Sequence, residues 1–148
     1  MKRIAVVGAG VMGRGIAYVA ALHDFQVRLQ DLQQSALERA RGYMEAELEK
    51  AVKRGYLEPS GATDCLGRIS FTTSLEEAAA GADAAIEAVL EQMELKIEIF
   101  QQLDKFTPKH AILATNTSTM SPTEIAAQTS RPDKCIAMHF FNPAHKMK

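Results

Sequence analysis

Apolar residues along this chain follow two rhythms. Short runs rich in β-branched residues alternate with longer stretches whose apolar positions recur every three or four residues. RIAVV (Arg3–Val7) is a short apolar run closed by Gly8, which predicts a buried strand, and Val11–His23 follows with helical spacing. QVRLQD (Gln26–Asp31) alternates and ends in an acid, predicting a second strand. A long helix should follow, with Ala36, Ala40, Tyr43, Met44, Leu48, Ala51 and Val52 on one face and Gly55 as its stop. Pro59 suits the first turn of a short helix, in a region of otherwise mixed signal from Tyr56 to Gly67. Four more strands are predicted at Arg68–Thr72, Asp83–Val89, Ala111–Thr115 and Lys134–Met138. Between them, capping boxes at Ser74/Glu77 and Ser121/Glu124 open two helices, and Pro108 closes a third that runs from Glu91 to Phe106.

Strands alternating with helices imply right-handed crossovers, so the expected fold is α/β, a doubly wound, mostly parallel sheet with a long helical excursion after the second strand. Its 148 residues suit one domain, 1–148. Hydrophobic residues at 47% and charged residues at 24% are ordinary for a water-soluble domain, and a net charge of −1 advertises neither a nucleic-acid nor an anionic-membrane surface. The apolar run before Gly8 is too short for a secretion signal, and no stretch has the length of a membrane span. Cys65 and Cys135 lie in apolar contexts without metal-ligand spacing, so they are expected to be buried free thiols in a reducing compartment, by default the cytoplasm.

In such a sheet, ligands lie beyond the carboxyl ends of the strands. GAGVMG fills G-x-G-x-x-G with Gly8, Gly10 and Gly13, and Val11 and Met12 open the helix. A strand before and a helix after give the motif the context of a Rossmann-type dinucleotide site, with the pyrophosphate at the helix N-terminus. Asp31 ends the second strand where an acid binds ribose hydroxyls, and no arginine follows in Leu32, Gln33 or Gln34 to welcome a 2′-phosphate. NAD is therefore expected rather than NADP. The plainer account of Asp31 is a structural turn and helix cap.

Past the fourth strand, Glu91 and Lys96 begin the next helix, and spacing alone reads them as a solvated ion pair. Past the fifth strand, the helix cap accounts for Ser121 but leaves Asn116, Thr117, Ser118 and Thr119 without a structural role. Past the sixth strand comes His139. Neighbouring strands lie about 4.8 Å apart, so Ser118 and His139 should emerge side by side over the cofactor crevice. An imidazole titrating near neutrality can exchange a proton there, while a hydroxyl holds the oxygen being oxidised or reduced. His110 sits at the opposite edge of the sheet, His23 ends the first helix, and His145 has no assignable role.

GAGVMGRGIA, EAVLEQMELKIEIFQQLD, ILATNTST and HFFNPAHKM together resemble the 3-hydroxyacyl-CoA dehydrogenase family, particularly its 3-hydroxybutyryl-CoA branch, across the whole chain and in order. The resemblance implies oxidation of a (3S)-3-hydroxyacyl-CoA by NAD, or the reverse. It implies His139 as the acid/base, Ser118 as a ligand of the substrate oxygen near the nicotinamide, and Asn142 in the same pocket. It makes Glu91, Lys96 and Asn116 cofactor contacts, together with Ser118 and Asn142. Lys50, Lys53 and Arg54 resemble the segment that meets the coenzyme A phosphates, although Glu47 stands where the family has a small polar residue. The family also carries a glutamate that orients the histidine and a helical domain that makes the dimer, both beyond HFFNP. Resemblance therefore casts this chain as an amino-terminal half, able to bind NAD but slow or inactive alone, within a homodimeric full-length protein. Two other readings remain open. One is a non-catalytic NAD-binding module, a redox sensor or crystallin-like relative. The other is a β-hydroxyacid dehydrogenase with a catalytic lysine, which HFFNP disfavours.

Overall fold

A computed structural model describes residues 2–144; His145 lies outside the described residues. Six parallel strands form one sheet in the order β3-β2-β1-β4-β5-β6. The strands are β1 (Arg3–Val7), β2 (Gln26–Gln30), β3 (Ile69–Thr72), β4 (Ala84–Glu87), β5 (Ile112–Thr115) and β6 (Cys135–Ala137). The helices are α1 (Val11–Leu22), α2 (Gln34–Lys53), α3 (Pro59–Gly67), α4 (Leu75–Ala79), α5 (Met93–Phe106) and α6 (Pro122–Ala126). This order is the doubly wound dinucleotide-binding topology, which reverses between β1 and β4 and opens a crevice at their carboxyl ends.

Period-2 alternation sorts the strand residues onto two cores. Ile4, Val6, Val27, Leu29 and Ile86 face α1 and α2 with Ile16, Leu37, Met44 and Leu48, while Ala5, Val7, Ala85 and Leu113 face α4, α5 and α6 with Phe100, Leu103 and Ile125. Each fully buried Leu, Ile or Phe contributes about 1.5–3 kcal/mol of transfer free energy. Both cores pack against the central strands β1 and β4, so the crevice edge is rigidly held.

The differences from expectation lie at element ends. β4 stops at Glu87 because that side chain takes the Val89 N–H at 2.8 Å and turns the chain out of the sheet. Helix α5 starts at Met93, which leaves Glu91 in the preceding loop. β6 is shorter than predicted because Pro132–Lys134 forms a single 3-10 turn. Ser74 and Ser121 accept the Glu77 and Glu124 N–H groups as expected, but the Glu77 carboxylate bonds the Thr72 hydroxyl rather than closing its box. Cys65 is buried, whereas Cys135 is only half-buried on the outer strand; both are free.

The amino edge of the sheet carries His110, as its sequence position implies. Its Nε2 lies 3.1 Å from Asp83 Oδ1, and Asp83 Oδ2 accepts the Lys2 and Arg3 N–H groups. His23 donates Nδ1–H to the Val19 carbonyl at the end of α1, far from the crevice.

Candidate active site

The turn after β1 is built by two close approaches. Gly8 has φ +97°, and a Cβ there would lie 2.7 Å from the Ala88 carbonyl oxygen. A Cβ on Gly13 would lie 1.7 Å from the Gly8 carbonyl oxygen, so the first turn of α1 presses directly on the loop. Gly10 faces open space and caps α1 without any side-chain hydrogen bond. The N–H groups of a twelve-residue helix are thus left for an anion at the mouth of the crevice. This bare, uncapped cradle fits the pyrophosphate of a dinucleotide. Val11, Leu32 and Leu90 follow the ends of β1, β2 and β4 and are 55%, 84% and 69% exposed, so apolar side chains flank the crevice.

Asp31 serves the turn as well as the expected ligand. Its Oδ2 accepts the Ala9 N–H and its Oδ1 the Gln33 N–H, each at 2.9 Å. The turn half of the structural account therefore holds, whereas the cap half does not, because Gln33 rather than Asp31 is the N-cap of α2. Each oxygen keeps a second lone pair for a ribose hydroxyl, so the two roles coexist.

At the ends of β5 and β6, Ser118 Oγ lies 2.9 Å from His139 Nε2, and both residues are exposed. Parallel pairing of Thr115 with Ala137 sets this meeting, and Met138 N–H extends it to the Thr115 carbonyl. Asn116 holds the next residue, its Oδ1 accepting the Phe140 N–H at 2.8 Å. Phe141 packs its ring 4.8 Å from the imidazole. Asn142 is exposed, and beyond it Ala144 returns against Gly15 of α1, where an added Cβ would be 3.4 Å away.

Lys96 departs from the reading made from spacing. The ion pair exists but is not solvated. Lys96 is 1% exposed, with Nζ 2.6 Å from Glu87 Oε1 and 2.9 Å from Glu91 Oε2. Glu91 faces the loop after β5, its Oε1 accepting the Thr117 hydroxyl at 2.8 Å and the Ser118 N–H at 2.9 Å. Burial raises the Glu91 pKa, but hydrogen bonds from Lys96, Ser118 and Thr117 more than offset this and hold it below the usual glutamate range. Glu87, the fully buried partner, went unnoticed in the sequence, where it looks like one more strand-end acid.

The basic cluster stands apart from this pair. Lys50 and Lys53 lie on the exposed last turn of α2, paired at 2.7 Å with Glu47 and Glu49, and Arg54 caps the helix. Nearer the crevice, Arg14 of α1 stacks its guanidinium 4.2 Å from the centre of the Tyr43 ring.

A family model described as 3-hydroxyacyl-CoA dehydrogenase, NAD binding domain, matches residues 3–148. The probable 3-hydroxybutyryl-CoA dehydrogenase of Bacillus subtilis is 43% identical over 148 residues, 100% of this chain and 51% of that protein. A crystal structure of 3-hydroxybutyryl-CoA dehydrogenase from Escherichia coli superposes with a TM-score of 0.96 at 43% identity, covering 99% of this chain and 31% of that one. The (S)-3-hydroxybutyryl-CoA dehydrogenase of Ralstonia eutropha gives 0.95 at 36% identity, covering 99% and 52%. This chain thus spans between about a third and a half of the length of such relatives.

Proposed function

This chain belongs to the 3-hydroxyacyl-CoA dehydrogenase family as its NAD-binding domain, and we propose that within a longer protein it interconverts (3S)-3-hydroxyacyl-CoA, in particular 3-hydroxybutyryl-CoA, with the 3-ketoacyl-CoA. The observation that carries this reading is the 2.9 Å contact of Ser118 Oγ with His139 Nε2 at the carboxyl ends of β5 and β6, on the same edge of the sheet as the glycine turn.

Gly8 to Gly13 and the start of α1 would hold the pyrophosphate, and Asp31 the adenosine ribose. Bound NAD supplies the hydride acceptor for the alcohol, and NADH the donor for the ketone. His139 Nε2 takes the 3-hydroxyl proton as the carbonyl forms and returns it in the reverse direction. The Ser118 hydroxyl, anchored through its own N–H on Glu91, holds the same substrate oxygen in place. Asn142, on the exposed segment after His139, is available to the same pocket. Lys50, Lys53 and Arg54 offer the coenzyme A phosphates an exposed helix end, where Lys50 and Lys53 would exchange Glu47 and Glu49 for phosphate.

The full-length protein is further read as a homodimer, with contacts made outside this chain. The two free thiols support a reducing location, for which the cytoplasm is the proposal. Acetoacetyl-CoA reduction by NADH in the whole protein tests the function. The expected result is steady turnover that falls by about 10²- to 10⁴-fold in His139→Ala. An unchanged rate in His139→Ala, with NADH still bound, would favour a non-catalytic NAD module.

A further inference from the structure

Glu87 ends β4 with its side chain 0% exposed. A carboxylate in so dry a place is tolerated only if it is paired and fully hydrogen-bonded. Its Oε1 accepts Lys96 Nζ at 2.6 Å and the Val89 N–H at 2.8 Å, and its Oε2 accepts the Thr115 hydroxyl at 2.7 Å. The Lys96 ammonium reaches a second acid, Glu91 Oε2, at 2.9 Å. Glu91 Oε1 then accepts the Thr117 hydroxyl and the Ser118 N–H, and Ser118 Oγ meets His139 Nε2. A series of charge-assisted contacts therefore runs from the floor of the sheet to Ser118, whose hydroxyl meets the imidazole.

We propose that Glu87 is a positioning residue for the Ser118–His139 pair, acting through Lys96 and Glu91; its catalytic consequence rests on the function proposed above. A lysine ammonium is a point charge on a flexible stem, and facing the half-exposed Glu91 alone it would have many positions. Glu87 removes that freedom by drawing Nζ into the sheet. With Nζ fixed, Glu91 has one place for Oε2, and its Oε1 is turned to the Thr117–Ser118 loop. Two carboxylates share one ammonium, and their remaining negative charge is met by Val89 N–H, Thr115 Oγ1–H, Thr117 Oγ1–H and Ser118 N–H. The last two donors belong to the loop that presents the catalytic hydroxyl. Residual charge in the buried cluster is thus spent on holding Ser118, with Lys96 acting on that loop from beneath.

The test uses the whole protein carrying Glu87→Gln, or Glu87→Gln with Lys96→Met. Three readouts are taken: kcat for acetoacetyl-CoA, NADH affinity and the Ser118 amide resonance in a ¹H–¹⁵N spectrum. Losing one hydrogen bond to a charged group at the reacting centre predicts a fall in kcat of about 10- to 100-fold. In Glu87→Gln, NADH affinity should stay within about twofold of the parent, and the Ser118 amide proton should move upfield. The double variant removes both buried charges, so its thermal midpoint should recover towards the parent while kcat and the Ser118 resonance stay displaced. It also serves if Glu87→Gln alone does not fold. A folded variant with parental kcat and Ser118 resonance would overturn the proposal, as would kcat that recovers together with stability in the double variant. If the parent itself fails to turn over acetoacetyl-CoA, the proposed function falls, yet the Ser118 resonance still decides the positioning role.

Discussion

Ser118 is held by two different groups, and they should respond differently to pH and mutation. Its N–H depends on the Glu91 carboxylate and its hydroxyl meets His139. The Glu91 pKa is depressed because charge-assisted hydrogen bonds outweigh burial. A depressed carboxylate contributes order that is complete above its unfolded pKa, about 4.3, and is lost as pH falls through the lower folded value. The Ser118 amide should therefore keep its resonance as pH drops through the ordinary glutamate range and shift only below it. A midpoint at or above the usual glutamate value would show that this carboxylate does not hold the loop. Asp31 gives a second expectation at this scale. Asp31→Ala removes the charge that repels a 2′-phosphate, so the ratio of NADPH to NADH affinity should rise by about tenfold or more, as measured by fluorescence titration. The same change frees the Ala9 and Gln33 N–H groups, so some loss of NADH affinity accompanies it.

The element that carries His139 is short and exposed, and it is steadied from outside the sheet. Arg131, just before β6, is 9% exposed. Its Nε donates to Asp104 Oδ1 at 2.7 Å, and its other nitrogens donate to the Asp104, Thr107 and Pro108 carbonyls, locking the end of α5 to the start of β6. Burial raises the Asp104 pKa, but hydrogen bonds from Ser130 and Arg131 lower it further than burial lifts it. Arg131→Met takes the countercharge from that carboxylate, leaving it only the Ser130 donors, and leaves several carbonyls without a donor, so urea unfolding should show a loss of about 3–5 kcal/mol. A loss under 1 kcal/mol would mean that the lock is only a surface contact. Much of this scale was legible in the sequence. The glycine turn, the alternation of strands and helices, and the exit of His139 beside Ser118 all follow from local pattern and parallel topology. What stayed hidden depends on register and depth. Glu87 reads as a polar strand end until its pairing with Thr115 and Val7 places it in the centre of the sheet. Lys96 looks solvated because helical spacing gives no sign that two acids, five residues and nine residues earlier, turn its ammonium inwards. Asp31 was predictable as an acid at the crevice, but its bonds to Ala9 and Gln33 come from a turn geometry that sequence pattern does not specify.

Across the whole molecule, the two sides of the proposed site are unevenly finished. The cofactor side is closed in on itself: Gly8 and Gly13 are packed to contact, Asp31 is bonded at both oxygens, and two cores hold β1 and β4. Among the described residues the side proposed for the substrate is open, with Met138 and Phe141 37% and 58% exposed around His139 and Leu90 69% exposed across the crevice. Open to solvent, that side keeps water and a high dielectric at the site, and its exposed apolar groups give an acyl chain a wall on one side only. NAD binding and turnover should therefore separate when this chain is compared with the longer protein. The 148-residue chain should bind NADH within about tenfold of the longer protein's affinity, because the contacts that favour binding lie within it. Its acetoacetyl-CoA reductase kcat/KM should be lower by at least about 10³-fold, because orientation and water exclusion lie among the larger contributions to catalysis and depend on covering that open face. Equal kcat/KM in the two would place the whole acyl-CoA site within these residues. Loss of NADH binding in the shorter chain would instead show that the crevice edge needs support from elsewhere.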